Sequence, residues 1–206
     1  MKKSDYNIGE NSHTLETYEW DNLWIHQTGD ENTPRILYIG DSISQMTRTQ
    51  ATQESENKLF FDGFASSKAL DNPYFYDSIS LFAKQEKHRD AVIFNNGLHG
   101  WHLNDEEQYP YFYEKTVEFL LEEFKGTPIF LVLTTSVTSS ETELRVCERN
   151  KAVLSIAKKY NLPVIDLHSV SLEYSQFRKD DGIHYMPDGY KQFAKQIVRD
   201  LQELIR

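Results

Sequence analysis

The 206-residue chain is poor in cysteine, in cationic runs and in long apolar stretches, and each absence removes a class of protein. The single cysteine, Cys147, excludes an intrachain disulfide, and its helical surroundings predict a small core-facing residue rather than a reactive thiol. A formal net charge of -10 with no Lys/Arg-rich run argues against nucleic acid as a partner. No apolar stretch approaches the roughly 18 residues that a membrane span requires.

Residues 1–33 form a polar, acidic arm ahead of the first apolar run. Its two lysines are not followed by an apolar segment, so it does not have the pattern of a secretory signal. We therefore expect a cytoplasmic protein, although a signal removed from the chain would leave the same N-terminus. Trp20 and Trp24 predict that the arm packs on the domain, with an aromatic rim facing a substrate as the alternative. Residues 34–206 are of a length for one domain.

Apolar runs alternate with helical patterns through the rest of the chain. The predicted strands are residues 36–39, 58–64, 91–94, 129–133 and 163–167. The first predicted helix follows Ser42. Three more begin at cap patterns, which are Asn72 with Pro73, Asn104 with Glu107 and Ser140 with Glu143. The last is an amphipathic helix from Tyr190 to Ile205. Strands alternating with helices of ten or more residues predict an α/β fold with a mostly parallel sheet covered on both faces.

Ser42 follows the first predicted strand directly, in the segment Gly-Asp-Ser at residues 40–42. The tripeptide alone is also ordinary turn and cap chemistry. However, the carboxyl end of a strand in an open α/β sheet is where chemistry is usually placed, and the start of a helix favours developing negative charge. Ser42 is therefore the candidate nucleophile.

Two downstream segments supply the groups that such a serine needs. A serine hydroxyl requires a base, and His184 could be that base. Asp181, three residues earlier, could orient its other ring nitrogen. Asp180 is a competing orienter on sequence alone. An oxyanion requires preorganised donors, for which we select the Ser42 backbone N–H and the side-chain amide of Asn95, at the end of the third strand.

The three segments together resemble the SGNH hydrolase, or GDSL esterase/lipase, superfamily over nearly all of residues 35–206. Residues 40–44, Gly-Asp-Ser-Ile-Ser, resemble the block that carries the nucleophile and one oxyanion donor. Residues 95–99, Asn-Asn-Gly-Leu-His, resemble the block whose Asn supplies a second donor. Residues 181–184, Asp-Gly-Ile-His, match the Asp-x-x-His block, and Pro-Asp-Gly at 187–189 is also typical.

The resemblance implies a flavodoxin-like α/β/α sandwich and a serine esterase that forms an acyl-enzyme without metal or organic cofactor. Ser42, Asp181 and His184 would be its catalytic residues. The chain departs from the family in two places. The Asn block lacks its leading glycine, so Asn96 is an alternative oxyanion donor to Asn95. The region 65–68, Ala-Ser-Ser-Lys, lacks the glycine whose N–H the family usually contributes.

The expected substrate is a small-molecule or carbohydrate ester with a short acyl chain, such as an acetylated sugar. The family also includes lysophospholipases, thioesterases and acyltransferases, which remain alternatives. A different class would be a glycan-binding module without activity, using Trp20, Trp24 and Trp101. Another alternative is a metal site, for which the spacing of His99, His102 and Asp105 is suitable. We prefer to interpret this segment as a loop lining the substrate site, with Trp101 as a wall for a sugar or acyl group. The oligomeric state is not predicted.

Overall fold

The computed structural model describes residues 15–202, which form one six-stranded sheet flanked by helices. In spatial order the sheet is β1-β3-β2-β4-β5-β6. The strands are β1 Asp21–Trp24, β2 Arg35–Gly40, β3 Phe60–Ser66, β4 Ala91–Phe94, β5 Ile129–Val132 and β6 Val164–Ile165. Strand β1 pairs antiparallel with β3, and every other pairing is parallel. The predicted mostly parallel α/β fold is confirmed.

Helices cover both faces of the sheet. They are α1 Ser42–Glu54, α2 Phe75–Ala83, α3 Gln108–Glu123, α4 Ser140–Tyr160, α5 Leu167–Glu173 and α6 Pro187–Gln202. Alternate side chains of β2 enter two separate cores: Ile36 and Tyr38 pack with α1 and α6, whereas Leu37 and Ile39 pack with α2 and α3. This is the three-layer arrangement that the alternation of strands and helices predicts. Within the described residues, no helix is both long and apolar enough to cross a membrane.

The cap patterns mark the helices correctly but misplace some of their first residues. Asn72 accepts a hydrogen bond from the Tyr74 N–H at 3.0 Å, so it caps a turn, and α2 begins only at Phe75 rather than at Pro73. Helix α4 is capped by Ser139, which accepts from the Thr142 N–H, one residue before the predicted Ser140.

Helix α3 is preceded by the predicted Asn104, but Gln108 rather than Glu107 closes the capping interaction. The Asn104 Oδ1 accepts from the Glu107 and Gln108 N–H groups, and the Gln108 Oε1 accepts from the Asn104 N–H at 3.0 Å. Pro110 lies in the first turn, where no backbone N–H has an intrahelical partner, so it does not interrupt the helix.

Four elements differ from the sequence expectation. Strand β3 spans residues 60–66 instead of 58–64, and helix α5 was not predicted. Strand β6 contains only Val164–Ile165, because Asp166 caps α5 by accepting from the Ser169 N–H at 2.9 Å. Strand β1 lies inside the polar arm, where no strand was predicted. Its residues are mostly exposed at the sheet edge and therefore lack the apolar run that marks a buried strand.

The described part of the arm, residues 15–33, is attached through a buried ion pair. The Arg35 guanidinium, 2% exposed, bonds the Asp62 carboxylate, 0% exposed, at 3.0 Å. The same guanidinium donates to the carbonyl oxygens of His26, Gln27 and Asp30. Arg35 thereby joins the loop after β1 to the first residue of β2.

Some expectations fall outside the described residues. The described residues do not include 1–14 or 203–206. What the sequence predicts for the start of the arm, and for Leu204 and Ile205 at the end of the last helix, therefore stays a prediction. The division into an arm of residues 1–33 and a domain of residues 34–206 likewise stays a prediction.

We expect Asp62→Ala to lower the free energy of unfolding by about 3 kcal/mol, because it leaves the buried Arg35 charge without its carboxylate. Glu56→Ala is the matched control, since Glu56 pairs with Lys58 at the surface with both side chains more than two-thirds exposed; it should change stability by less than about 1 kcal/mol. Urea unfolding curves compare the two. Equal effects would show that the buried pair does not hold the arm.

Candidate active site

Ser42 lies at the turn from β2 into α1. Asp41 is the N-cap, with its Oδ1 accepting from the Ile43 N–H at 2.9 Å, and Ser42 is the first helical residue. The turn requires Gly40, because a Cβ there would lie 2.7 Å from the Ser44 side chain. The Ser42 hydroxyl therefore stands at the carboxyl edge of the sheet, beside a helix N-terminus with unpaired backbone N–H groups.

A chain of hydrogen bonds joins the three residues that the sequence nominated. The Ser42 Oγ is 2.8 Å from His184 Nε2, and His184 Nδ1 is 2.9 Å from Asp181 Oδ2. Ser42 and His184 are 142 positions apart in the sequence. The carboxylate that contacts the His184 ring is that of Asp181. The arrangement has the geometry of a nucleophile, a base and its orienter.

Asp181 is held in its ionised form. Desolvation opposes this, but hydrogen bonds from the backbone N–H groups of Ile183 and His184 and from the His184 ring lower the pKa of Asp181 to about 2. An ordinary aspartate has a pKa of about 3.9. Because its pKa is depressed, Asp181 stays charged until the pH falls towards 2. Any loss of activity between neutral pH and about pH 4 therefore arises from another group.

The loop of residues 178–185 that carries the base has a defined shape. Gly182 has φ +75°, a conformation that favours glycine, and a Cβ there would make a tight contact of 3.0 Å with the Thr138 Cβ. The Thr138 N–H donates to the Gly182 carbonyl at 2.9 Å. Tyr185, fully buried, donates its hydroxyl to the Ser136 carbonyl at 3.2 Å. The loop is thus fixed to residues 136–138.

Asn95 directs its amide into the sheet edge rather than leaving it free. Its backbone N–H donates to the Ile39 carbonyl at 3.0 Å, which places the residue beside the end of β2. Its Nδ2 donates to the Val132 carbonyl at 2.9 Å and to the Thr134 Oγ1 at 3.2 Å. An amide has two N–H groups, so both are already used in these contacts.

Asn96 has an amide hydrogen that the described contacts leave unused. Its Nδ2 makes one hydrogen bond, to the Lys68 carbonyl at 3.1 Å, and its Oδ1 is buried without a partner. Lys68 belongs to the region 65–68, which the family resemblance places at the oxyanion site. Asn96 therefore lies against that region.

The backbone of residues 67 and 68 offers no spare donor. The Ser67 N–H donates to the Trp20 carbonyl at 3.1 Å, and the Lys68 N–H donates to the Ser66 Oγ at 3.0 Å. The Lys68 ammonium pairs with Asp21 of β1 at 2.6 Å. These contacts join the edge strand β1 to the segment beside Asn96.

A buried arginine that sequence reasoning missed shapes the loop after β4. Arg149 of α4 is 0% exposed. It donates to three carbonyl oxygens of this loop, those of residues 97, 99 and 100, at 2.6 to 3.1 Å, and to Asp105 Oδ1 at 2.7 Å. The sequence feature that could have predicted the burial of Arg149 is its position between Val146 and Val153 on one face of α4.

The residues of the proposed His-x-x-His-x-x-Asp metal site have separate partners. His99 Nδ1 lies 3.8 Å from Glu16 Oε1, and His102 Nε2 lies 2.9 Å from Asp71 Oδ2. Asp105 pairs with the arginines of α4. That metal hypothesis was wrong, because each side chain is already directed to a different partner.

The tryptophans are only partly available to a ligand. The guanidinium carbons of Arg149 and Arg145 lie 4.2 and 4.9 Å from the Trp101 ring centroid, so this ring packs within the protein. Trp24 is 46% exposed on β1, and Arg48 lies over its ring at 5.8 Å. Trp101 is partly buried, and its role as a wall of the substrate site stays a prediction. The sequence expectation for Cys147 also needs correction, because it is only partly buried, with its Sγ near Glu143 rather than in the core.

Comparison with known proteins gives one curated relative. No family model matches the chain. Over 176 residues it is 24% identical to YrhL of Bacillus subtilis (strain 168), whose name assigns it provisionally to the peptidoglycan O-acetyltransferases. The match covers 84% of this chain and 24% of YrhL, so the chain spans about a quarter of the length of that relative.

Solved structures share the fold at low identity. A member of the lipolytic G-D-S-L family from Veillonella parvula superposes with TM-score 0.65 at 18% identity, over 82% of this chain and 99% of that one. The C-terminal catalytic domain of peptidoglycan O-acetyltransferase A from Streptococcus pneumoniae superposes with a TM-score of 0.64 at 18% identity, over 83% of this chain and 94% of that one. A carbohydrate esterase family 3 protein from Talaromyces cellulolyticus superposes with a TM-score of 0.65 at 17% identity, over 84% of this chain and 98% of that one.

The fold is therefore that of the GDSL/SGNH acylhydrolases, as the sequence motifs indicated. Proteins of this fold in the comparison handle acyl groups, both as esterases and as O-acetyltransferases. The resemblance stated from the sequence is confirmed at the level of the fold.

We expect Asp181→Asn to slow covalent labelling of Ser42 by a fluorophosphonate about 10³- to 10⁴-fold, because the neutral amide cannot stabilise the imidazolium that forms. The asparagine oxygen can still accept the two backbone N–H bonds that shape the loop. Asp180→Asn is the matched control and should label at the parental rate. The labelling rate followed by intact mass measures both, and equal rates in the two variants would remove Asp181 from the role of orienter.

Proposed function

We propose that this protein is a serine enzyme that takes an acyl group from an oxygen ester through a covalent acyl-enzyme. The proposal is supported chiefly by the unbroken Ser42–His184–Asp181 hydrogen-bonded chain at the carboxyl edge of the sheet. The fold, which acylhydrolases share, supports it independently of that geometry.

In the first half of the reaction, His184 Nε2 takes the Ser42 hydroxyl proton as the Oγ attacks the ester carbonyl. The tetrahedral intermediate collapses, the C–O bond of the alcohol breaks, and His184 returns the proton to the departing alkoxide. In the second half, water or another hydroxyl is deprotonated by His184 and attacks the acyl-enzyme. That step releases an acid or a new ester and restores Ser42.

The developing oxyanion requires donors beside Ser42. The Ser42 backbone N–H, at the start of α1, is the first. For the second we select Asn96, the alternative at the sequence level, in place of Asn95. Asn95 has given both amide hydrogens to Val132 and Thr134, whereas Asn96 retains one beside the region 65–68.

The substrate class that we propose is a short acyl ester, acetyl above all, on a carbohydrate hydroxyl. Support comes from proteins of the same fold, which include an acetyl xylan esterase, a carbohydrate esterase family 3 protein and a peptidoglycan O-acetyltransferase. The net charge of -10 disfavours strongly acidic substrates. Hydrolysis is our first choice, and transfer of the acyl group to a sugar hydroxyl is the second candidate, which YrhL favours.

We expect measurable hydrolysis of p-nitrophenyl acetate, reduced about 10⁴-fold or more in Ser42→Ala. Asn96→Ala should lower kcat about 10²- to 10³-fold, because it removes a transition-state donor. Its melting temperature should fall less than that of Asn95→Ala, because only one hydrogen bond of the amide is lost. Asn95→Ala should instead lower the melting temperature, because it removes two buried hydrogen bonds. Steady-state kinetics and thermal melts on the same samples separate the two asparagines. A kcat loss confined to Asn95→Ala would return the second donor to that residue.

The distinction between hydrolysis and transfer is testable with acceptors. A hydrolase should release acetate and p-nitrophenol in equal amounts, whether or not xylo- or chito-oligosaccharides are added. A transferase should instead give acetylated oligosaccharide, detectable by mass spectrometry, with acetate falling below p-nitrophenol. Equal hydrolysis by the parent protein and Ser42→Ala would show that Ser42 is not the nucleophile. If the parent protein itself turns over none of these esters, a glycan-binding role becomes the better interpretation.

A further inference from the structure

A second cluster of reactive side chains lies on α4 and α5, apart from Ser42. Glu143 and Cys147 are one helical turn apart on α4, and His168 is the second residue of α5. Within residues 15–202, they form the only group of three His, Cys or carboxylate residues whose ligand atoms converge, and each is partly exposed. The proposed ester chemistry uses none of them.

We propose that Glu143, Cys147 and His168 form a binding site for a divalent transition-metal ion, with Zn²⁺ the best fit. One thiolate, one imidazole and one carboxylate are a donor set that Zn²⁺ accepts, and a water would complete a tetrahedron. Two ligands at i and i+4 on one helix present their atoms on the same face.

The spacing of the three ligand atoms supports this assignment. Cys147 Sγ lies 3.8 Å from Glu143 Oε1 and 4.0 Å from His168 Nε2, and the latter two atoms are 2.8 Å apart. Ordinary Zn–S and Zn–N lengths of about 2.3 and 2.0 Å give ligand separations of roughly 3.3 to 3.6 Å in a tetrahedron. Side-chain movements of about half an ångström would therefore complete the site.

The carboxylate is already oriented by the fold. The Glu143 Oε2 accepts the Val137 N–H at 2.7 Å, which directs Oε1 to the other two ligands. Without metal, desolvation and the nearby Glu143 carboxylate raise the pKa of the Cys147 thiol. Metal binding would reverse this preference, since the thiol forms an S–metal bond and releases its proton to solvent.

A metal bound at this site would stabilise residues 136–138, which hold the loop that carries His184. Val137 precedes Thr138, whose N–H donates to the Gly182 carbonyl. An ion held by Glu143, Cys147 and His168 would join α4 to α5 and limit movement of residues 136–138. Its binding does not depend on the reaction at Ser42, so the proposal can be tested separately.

The test is a titration of the full chain with Co²⁺ followed by Zn²⁺. Co²⁺ should give the near-ultraviolet thiolate charge-transfer band and the intense visible bands of a tetrahedral site, and one equivalent of Zn²⁺ should remove both. Competition with a chromophoric chelator gives the Zn²⁺ affinity. Cys147→Ala and His168→Gln should each weaken it at least about tenfold, and His102→Gln, which removes a histidine elsewhere, should leave it unchanged.

Thermal melts complete the test. Added Zn²⁺ should raise the melting temperature of the parent protein and of His102→Gln but not of Cys147→Ala, because only a metal bound to the native state stabilises it. Circular dichroism verifies that the variants fold. Co²⁺ spectra without a thiolate band, or equal Zn²⁺ affinity in the parent, Cys147→Ala and His168→Gln, would overturn the proposal and leave a His168–Glu143 hydrogen bond only.

Discussion

The hydrogen bond between the Ser42 Oγ and His184 Nε2 is the contact on which the interpretation of this fold depends. It joins residues 142 positions apart, so it exists only if β2 and the loop before α6 reach the same edge of the sheet. Parallel pairing explains the position of Ser42, because it follows the carboxyl end of β2 directly. The loop that carries His184 follows α5 instead of a strand, and it reaches the same edge because Thr138, in the segment after β5, donates its N–H to the Gly182 carbonyl. Together these contacts give a hydroxyl and an imidazole the proximity that the proposed nucleophilic catalysis requires.

The sequence was sufficient to nominate the three residues that the structure joins by hydrogen bonds. Ser42 follows a buried strand directly, and Asp181 lies three residues before His184, so a strand end and a single turn identify them. The choice between Asn95 and Asn96 was different, because both follow β4 and successive side chains leave an extended segment in opposite directions. Which amide faced the sheet depended on β5, whose Val132 carbonyl takes the Asn95 hydrogen, and that neighbour is distant in sequence.

Other features escaped prediction for the same reason. The exposed strand β1 has no apolar run, and it forms because β3 offers it an edge to pair with. Arg149 reads as one polar residue among many on α4, and its role follows from the loop carbonyls that surround it. The displaced caps have a local cause instead, because neighbouring Ser, Asn and Gln side chains can compete for the same N–H groups. Long-range contacts therefore decided the strand and the arginine but not the caps.

One segment supports both halves of the site, which limits how they can move. Thr134 accepts from Asn95 and is held at its N–H and carbonyl by Asn150 of α4. A few residues later, Thr138 bonds the loop that carries His184. Because α4 also holds the loop after β4 through Arg149, this loop and the loop that carries His184 share one support. A shift of α4 would therefore displace both loops together relative to Ser42, which lies at the start of α1, so the packing of α4 fixes their position against that hydroxyl.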